Sequence, residues 1–152
     1  MIITPHLLIG GAIGAATNNV PLAFVSGFFS HLILDMIPHL DPGTFQSTER
    51  GTWPKWFYWF AISEFVIIWT IFILLFRSWP QFPAMVSGAI GGMLIDIMDN
   101  IPIKSLDNWP VFREVHFIHN KFHFFIKRKY WYWGLVDEAI VTAGGLWYLL
   151  RF

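Results

Sequence analysis

From Phe57 to Phe76 the chain runs 20 residues with one acidic or basic side chain, Glu64. About 20 apolar residues in helical form cross the hydrocarbon core of a bilayer, so this run restricts the chain to folds built in or on a membrane. The remainder agrees. Hydrophobic residues make up 55% of the 152, charged residues 13%, and mean hydropathy is +0.52. A soluble domain carries about 25% charged residues. Nine Trp and sixteen Phe suit lipid-facing surface and interfacial belts. Net charge is zero, so no bulk field favours nucleic acid. With no Cys, disulfides, thiolate ligands and cysteine nucleophiles are all excluded. The N-terminus has neither the basic region nor the small-residue cleavage site of a signal peptide, so the first apolar stretch is expected to be retained.

Helix starts are announced by a capping residue close to a proline. Thr4-Pro5 opens a segment to about Thr17, and Asn18-Asn19-Val20-Pro21 a second to about Ile37, stopped by Pro38 and Asp41-Pro42-Gly43. Thr52-Trp53-Pro54 opens the third, through Phe76, and Ser78-Trp79-Pro80 the fourth, to about Asn100. Asn108-Trp109-Pro110 opens an amphipathic stretch to about Lys129, and the last helix runs from about Gly134 to Phe152. The expected fold is all-α: one membrane-embedded domain over residues 1–152, with four near-spanning helices, a short N-terminal helix and an interfacial segment. The short first helix, near 20 Å long, enters partway or packs on the second. An internal echo accompanies this. Residues 23–39 align without gaps onto 84–100, pairing Asp35 with Asp96, His39 with Asn100 and His31 with Gly92.

Alternating up-and-down helices bring all six histidines to one end. His6 starts the first helix; His31, Asp35 and His39 end the second; Asp96, Asp99 and Asn100 end the fourth. His116, His119 and His123 follow, and Asp137 and Glu138 begin the last helix on that side. Arg50, Lys55, Lys104, Arg113, Lys121, Lys127, Arg128 and Lys129 fall on the histidine side, Arg77 and Arg151 on the other. The positive-inside rule then makes the histidine side cytoplasmic.

His31 and Asp35 are four apart and share a helix face, as do His119 and His123. Buried nitrogen and carboxylate groups at this spacing cost solvation that a metal, a proton partner or another charge must offset. Together with Asp96 they form a mixed N/O set suited to Zn²⁺, or to Mn²⁺ or Fe²⁺, and their number allows two metals. His6 and His39 are candidate ligands or general bases. A divalent ion there lowers the pKa of water and polarises a phosphoryl or acyl oxygen, which is hydrolytic chemistry. The bland readings differ: an intrahelical hydrogen bond for His31–Asp35, and an interfacial helix with lipid- or water-facing histidines for 116–123. Glu64, about 11 residues into its helix, marks a functional group or a carboxyl bonded to a neighbouring helix. Trp53, Trp56, Trp59, Trp131 and Trp133 read as interface anchors, and the glycines around Gly10, Gly27 and Gly88 as points of close helix contact.

The runs Thr4-Pro5-His6-Leu7-Leu8-Ile9-Gly10 and Gly27-Phe28-Phe29-Ser30-His31-Leu32-Ile33-Leu34-Asp35, followed by Pro38-His39, resemble the small bacterial inner-membrane proteins described as metal-dependent hydrolases. Those include the LexA-regulated membrane hydrolase family. The four-residue His–Asp spacing is similar to that of zinc-dependent phospholipase C. The resemblance implies a helical inner-membrane protein with a divalent-metal site and phosphoester hydrolysis, with His6, His31 and Asp35 as site residues.

The expected function is hydrolysis of a phosphoester, such as a lipid headgroup, with His31, Asp35, Asp96, His119 and His123 as metal ligands and His6 and His39 as catalytic groups. Membrane lipid is the expected partner and nucleic acid is not. Two alternatives stay open: a non-enzymatic membrane protein with a structural metal or proton network, and a small transporter in which Glu64 and Asp96 mark an ion route.

Overall fold

A computed structural model describes residues 1–41, Thr44, 55–100 and 109–151. The described residues form six α-helices and no strand: α1 (Ile3–Thr17), α2 (Val20–Asp35), α3 (Lys55–Phe76), α4 (Phe82–Asn100), α5 (Pro110–Phe122) and α6 (Trp131–Leu149). The fold is all-α, as expected. Thr52-Trp53-Pro54, Arg50, Lys104 and the side chains of Asp99 and Asn100 lie outside the described residues.

The proline signals mark several starts well. Asn19 caps α2, its side chain accepting from the Leu22 N–H at 3.0 Å with Pro21 in the first turn. Trp109 precedes Pro110 at the start of α5. Asn18 ends α1 in the left-handed region (φ 44°), its N–H returning to Gly14 O at 2.9 Å, which Asn tolerates better than most residues. Thr4 is different. It lies inside α1, and the cap comes from another helix. Glu64 Oε1 of α3 accepts from the Thr4 N–H (2.8 Å) and from the Thr4 hydroxyl (2.7 Å). A first-turn amide with no intrahelical acceptor is thereby satisfied, and Glu64 is the carboxyl bonded to its neighbour.

Several expected boundaries move, among them the start of α4, at Phe82 and not at Ser78-Trp79-Pro80, and the end of α6, at Leu149. Helix α2 stops at Asp35, two residues early, because the chain from Met36 leaves the helix to pair elsewhere. Helix α5 ends at Phe122, not near Lys129, and α6 begins at Trp131, not Gly134. The cause is tertiary. Phe124 N–H donates to Asp35 O (2.9 Å), His39 N–H to Phe124 O (3.2 Å) and Ile126 N–H to His39 O (2.8 Å), an isolated parallel bridge that draws both segments out of helical form.

Helix α1 is the centre. Buried residues occupy all its faces, with Pro5, His6, Leu7 and Leu8 in succession, the mark of a helix enclosed by others. It runs antiparallel to α2 and α4, which lie side by side in one direction. Gly88 of α4 is where they converge, its backbone touching the spaces a side chain would need at both Gly10 and Gly27. Leu7, Leu8, Ala12 and Ala15 of α1 pack with Phe72 and Phe76 of α3, Met85, Ala89 and Met93 of α4, and Leu149 of α6. Among the described residues, one helix, over Tyr58–Phe76, is long and apolar enough to cross a membrane; α1, α2 and the apolar part of α4 are shorter. That α3 segment is largely unburied, with Ile62, Val66, Ile67 and Leu74 among its exposed side chains.

Candidate metal centre

Antiparallel packing of α1 against α2 and α4 puts the start of α1 beside the ends of the other two. His6 comes from the second turn of α1, His31 and Asp35 from one face at the end of α2, and Asp96 from the last turns of α4. The bridge between 35–39 and 124–126 adds His39 and Asp41 from one side, with His119 and His123 from α5 and its end on the other. Every residue expected to serve at the site therefore meets in one place. His116, on α5, is exposed and belongs to neither of the groups described next.

Asp35 is the hub. Its Oδ2 lies 2.8 Å from His119 Nε2, 3.1 Å from His31 Nε2 and 4.0 Å from His123 Nε2. Its Oδ1 lies 2.8 Å from the Met1 amino group, 3.2 Å from His6 Nε2 and 3.7 Å from His39 Nε2. Asp96 stands 3.8 Å from both His31 Nε2 and His6 Nε2. The ligand atoms fall into two groups able to hold a metal ion: His31, Asp35, Asp96 and His119, and Asp35, His39 and His123. In each, the atoms lie within 4.8 Å of one another. Asp35 is common to both.

Hydrogen bonds behind the rings fix their protonation. His31 Nδ1 is 2.8 Å from Gly92 O, and His39 Nδ1 is 2.8 Å from Ile37 O. A carbonyl only accepts, so each Nδ1 carries a proton and donates it, and in the neutral ring Nε2 turns a lone pair to the cluster. Burial, helped by the nearby N-terminal ammonium, holds the His39 imidazole well below its ordinary pKa, which keeps it neutral. His39 Nε2 sits 3.1 Å from His123 Nε2, and His31 Nε2 3.5 Å from His119 Nε2. Facing imidazole nitrogens at these separations need either a shared proton or a cation between them. His6 stacks on His31 with centroids 4.1 Å apart. Both of its ring nitrogens are buried without a hydrogen bond, Nε2 approaching Asp35 at an angle that does not make one.

This donor set fits a divalent ion by its chemistry: imidazoles oriented by backbone acceptors, two carboxylates, and a buried ring nitrogen, His6 Nδ1, without a hydrogen bond. The side chains of His6, His31, Asp35 and His39 are fully enclosed, whereas Asp96 and His123 are 15% exposed and Asp41 21%, which defines an accessible edge. Asp41 was not among the expected site residues. Its Oδ2 is 3.3 Å from His123 Nε2, a contact created by the 39–126 bridge and invisible in spacing along the chain. Glu138, expected at the start of the last helix, is instead buried two turns into α6. Comparison with protein-family models, with curated proteins and with solved structures gives no significant match.

Proposed function

We propose that this chain is an integral-membrane, metal-dependent hydrolase that cleaves a phosphoester at the level of the lipid headgroups. The observation that carries the reading is the Asp35 carboxylate enclosed by five imidazoles, two of them held with Nε2 inward by backbone carbonyls. His31, Asp35, Asp96 and His119 would hold one ion and Asp35, His39 and His123 a second, Asp35 being common to both sets. Nitrogen-rich ligation without thiolate suits Zn²⁺ first, then Mn²⁺ or Fe²⁺. A divalent ion supplies Lewis acidity toward a phosphoryl oxygen and lowers the pKa of water. His6 Nε2, with no hydrogen bond of its own, is placed to take up a proton beside Asp35 Oδ1. The edge formed by Asp41, Asp96 and His123 is where a substrate phosphate would enter.

The membrane reading rests on α3 and on the apolar exposure of other helices, including Phe29 and Ile33 of α2, Ile90 of α4, and Ile140 and Trp147 of α6. Large apolar side chains exposed in this number belong against lipid or another protein. We read α2, α3, α4 and α6 as the four near-spanning helices and α5 as the interfacial one. The excess of Lys and Arg on the histidine side of the sequence supports a cytoplasmic orientation of the metal centre in an inner membrane. The full enclosure of His31, Asp35 and His39 favours one second reading, a closed structural metal site. The Thr4 bonds to Glu64 account for that carboxyl without an ion route.

Elemental analysis of the detergent-purified protein, with assay against mixed phospholipid vesicles, tests the proposal. Wild type is expected to retain at least one equivalent of divalent metal and to release headgroup or phosphate, with release abolished by chelation. His31→Ala and Asp35→Ala should lose both metal and activity. Equal, negligible metal in all three proteins would overturn it, and metal without turnover would leave the structural reading.

A further inference from the structure

Charge is spread unevenly along this chain. The whole sequence nets to zero, yet residues 109–133 hold five of its ten basic side chains, Arg113, Lys121, Lys127, Arg128 and Lys129, against a single acidic one, Glu114. Glu114 lies 3.5 Å from Arg113, and that pair cancels. Lys121, Lys127, Arg128 and Lys129 are exposed, and none of them meets an acidic partner among the described residues.

The last three cations stand in the run Phe124-Phe125-Ile126-Lys127-Arg128-Lys129-Tyr130-Trp131-Tyr132-Trp133. All of these but Ile126 are exposed, so a basic turn carries outward aromatic rings on both sides. Main chain fixes that turn in place. The Tyr130 N–H closes it on Lys127 O at 2.8 Å, and just before it the Ile126 N–H donates to His39 O at 2.8 Å. Helix α6 starts immediately after, at Trp131. A cationic turn at the head of an apolar helix, ringed by Trp and Tyr, matches the level where a bilayer changes from hydrocarbon to headgroups. There the Lys and Arg stems follow apolar surface while their charges reach phosphate. A water-soluble polyanion would answer the charges but leave Phe124, Phe125 and Trp133, each about half exposed, against water.

We infer that the turn at 127–129 docks a leaflet rich in anionic phospholipid, its three cations taking headgroup phosphates and its flanking rings entering the interface. Charge complementarity chooses the partner: basic residues beside a membrane draw anionic lipid, each adding to the attraction. The inference rests on the membrane part of the reading above and not on the hydrolase. It also bears on the metal centre. The stretch that leads into the turn bonds Asp35 O through the Phe124 N–H and His39 O through the Ile126 N–H, so the docked leaflet and the metal donors share one hydrogen-bonded frame.

The test uses the full chain in an uncharged detergent. Native mass spectrometry measures retention of phosphatidylglycerol against phosphatidylcholine. Wild type is expected to favour phosphatidylglycerol about tenfold. Lys127→Gln, Arg128→Gln and Lys129→Gln together should bring the preference within about twofold, with metal content at the wild-type level. Lys127→Arg with Lys129→Arg keeps the charge and should keep the preference. Arg77→Gln with Arg151→Gln, which removes charge from the other end of the bundle, should keep it too. No preference in wild type, a preference that survives loss of the three cations, or one lost equally with Arg77 and Arg151 overturns the site. Tighter retention of an oligonucleotide than of phosphatidylglycerol assigns the cations to a soluble polyanion and overturns it as well. A lipid preference in a protein that hydrolyses no phosphoester leaves the docking surface standing and fails only the hydrolase. A chain that is monodisperse without detergent fails the membrane reading; sedimentation with phosphatidylglycerol vesicles, lost in the triple variant, would still establish the docking surface.

Discussion

Helices α2 and α4 carry the same pattern 61 residues apart and lie beside each other in the same direction, yet they contribute unequally. Matching positions touch: Gly27 meets Gly88, and His31 bonds the carbonyl of Gly92, its own counterpart. Helix α2 brings His31 and Asp35 and leads to His39. Helix α4 brings Asp96 among its described side chains. Gly92 is where the difference is made. A Cβ there would stand 2.5 Å from the His6 carbonyl oxygen, so the absent side chain is what admits α1. The histidine missing from α4 is replaced by His6 arriving on a third helix and stacking on His31. The lesson is that two similar helices make an asymmetric site when one gives up its side chain to let another element in.

Substitution of the paired aspartates separates the two helices most sharply. Asp35→Asn should lower metal affinity by more than about 100-fold, the upper figure for groups that only support ligands, and should empty both groups at once. Asp96→Asn should weaken one group and leave the other, so about half the metal remains by elemental analysis. Equal loss from the two variants would remove the distinction. Next in size, Gly92→Ala should cost about 1–3 kcal/mol through overpacking, read as a lower detergent unfolding midpoint, and should weaken metal retention by displacing α1. A neutral outcome would mean that the α1–α4 approach does not depend on that glycine. The smallest effect is a control. A Cβ at Gly144 meets nothing within 4 Å, so Gly144→Ala should stabilise α6 by about 0.4–1 kcal/mol and leave metal unchanged.

The sequence was legible where local chemistry decides the outcome. Asn19 with Pro21, and Pro110 after Trp109, mark helix starts because cap and first turn are adjacent in the chain. The four-residue spacing of His31–Asp35 and His119–His123 shows which side chains share a face or a turn, and alternation of the helices brings them to one end. It was less legible where distant parts decide. Thr4 reads as its own cap, but Glu64 does that work from 60 residues away. The end of α5 is set by the partner strand segment at His39, which has no signature in residues 123–129. Asp41 joins the site through the pairing of His39 with residues 124–126, and Trp56 and Trp131 line a cavity instead of standing as lone anchors where Gly134 lets α6 settle on Leu40.

The short parallel bridge at His39 has a consequence for what happens between ions. Three amide-to-carbonyl links tie the stretch from Asp35 to His39 to residues 124–126, clasping the donors on α2 to those after α5. Their spacing is therefore set by main chain, as a frame sets a lens. A vacated centre would keep its shape, and one cation could succeed another without the surrounding scaffold having to refold.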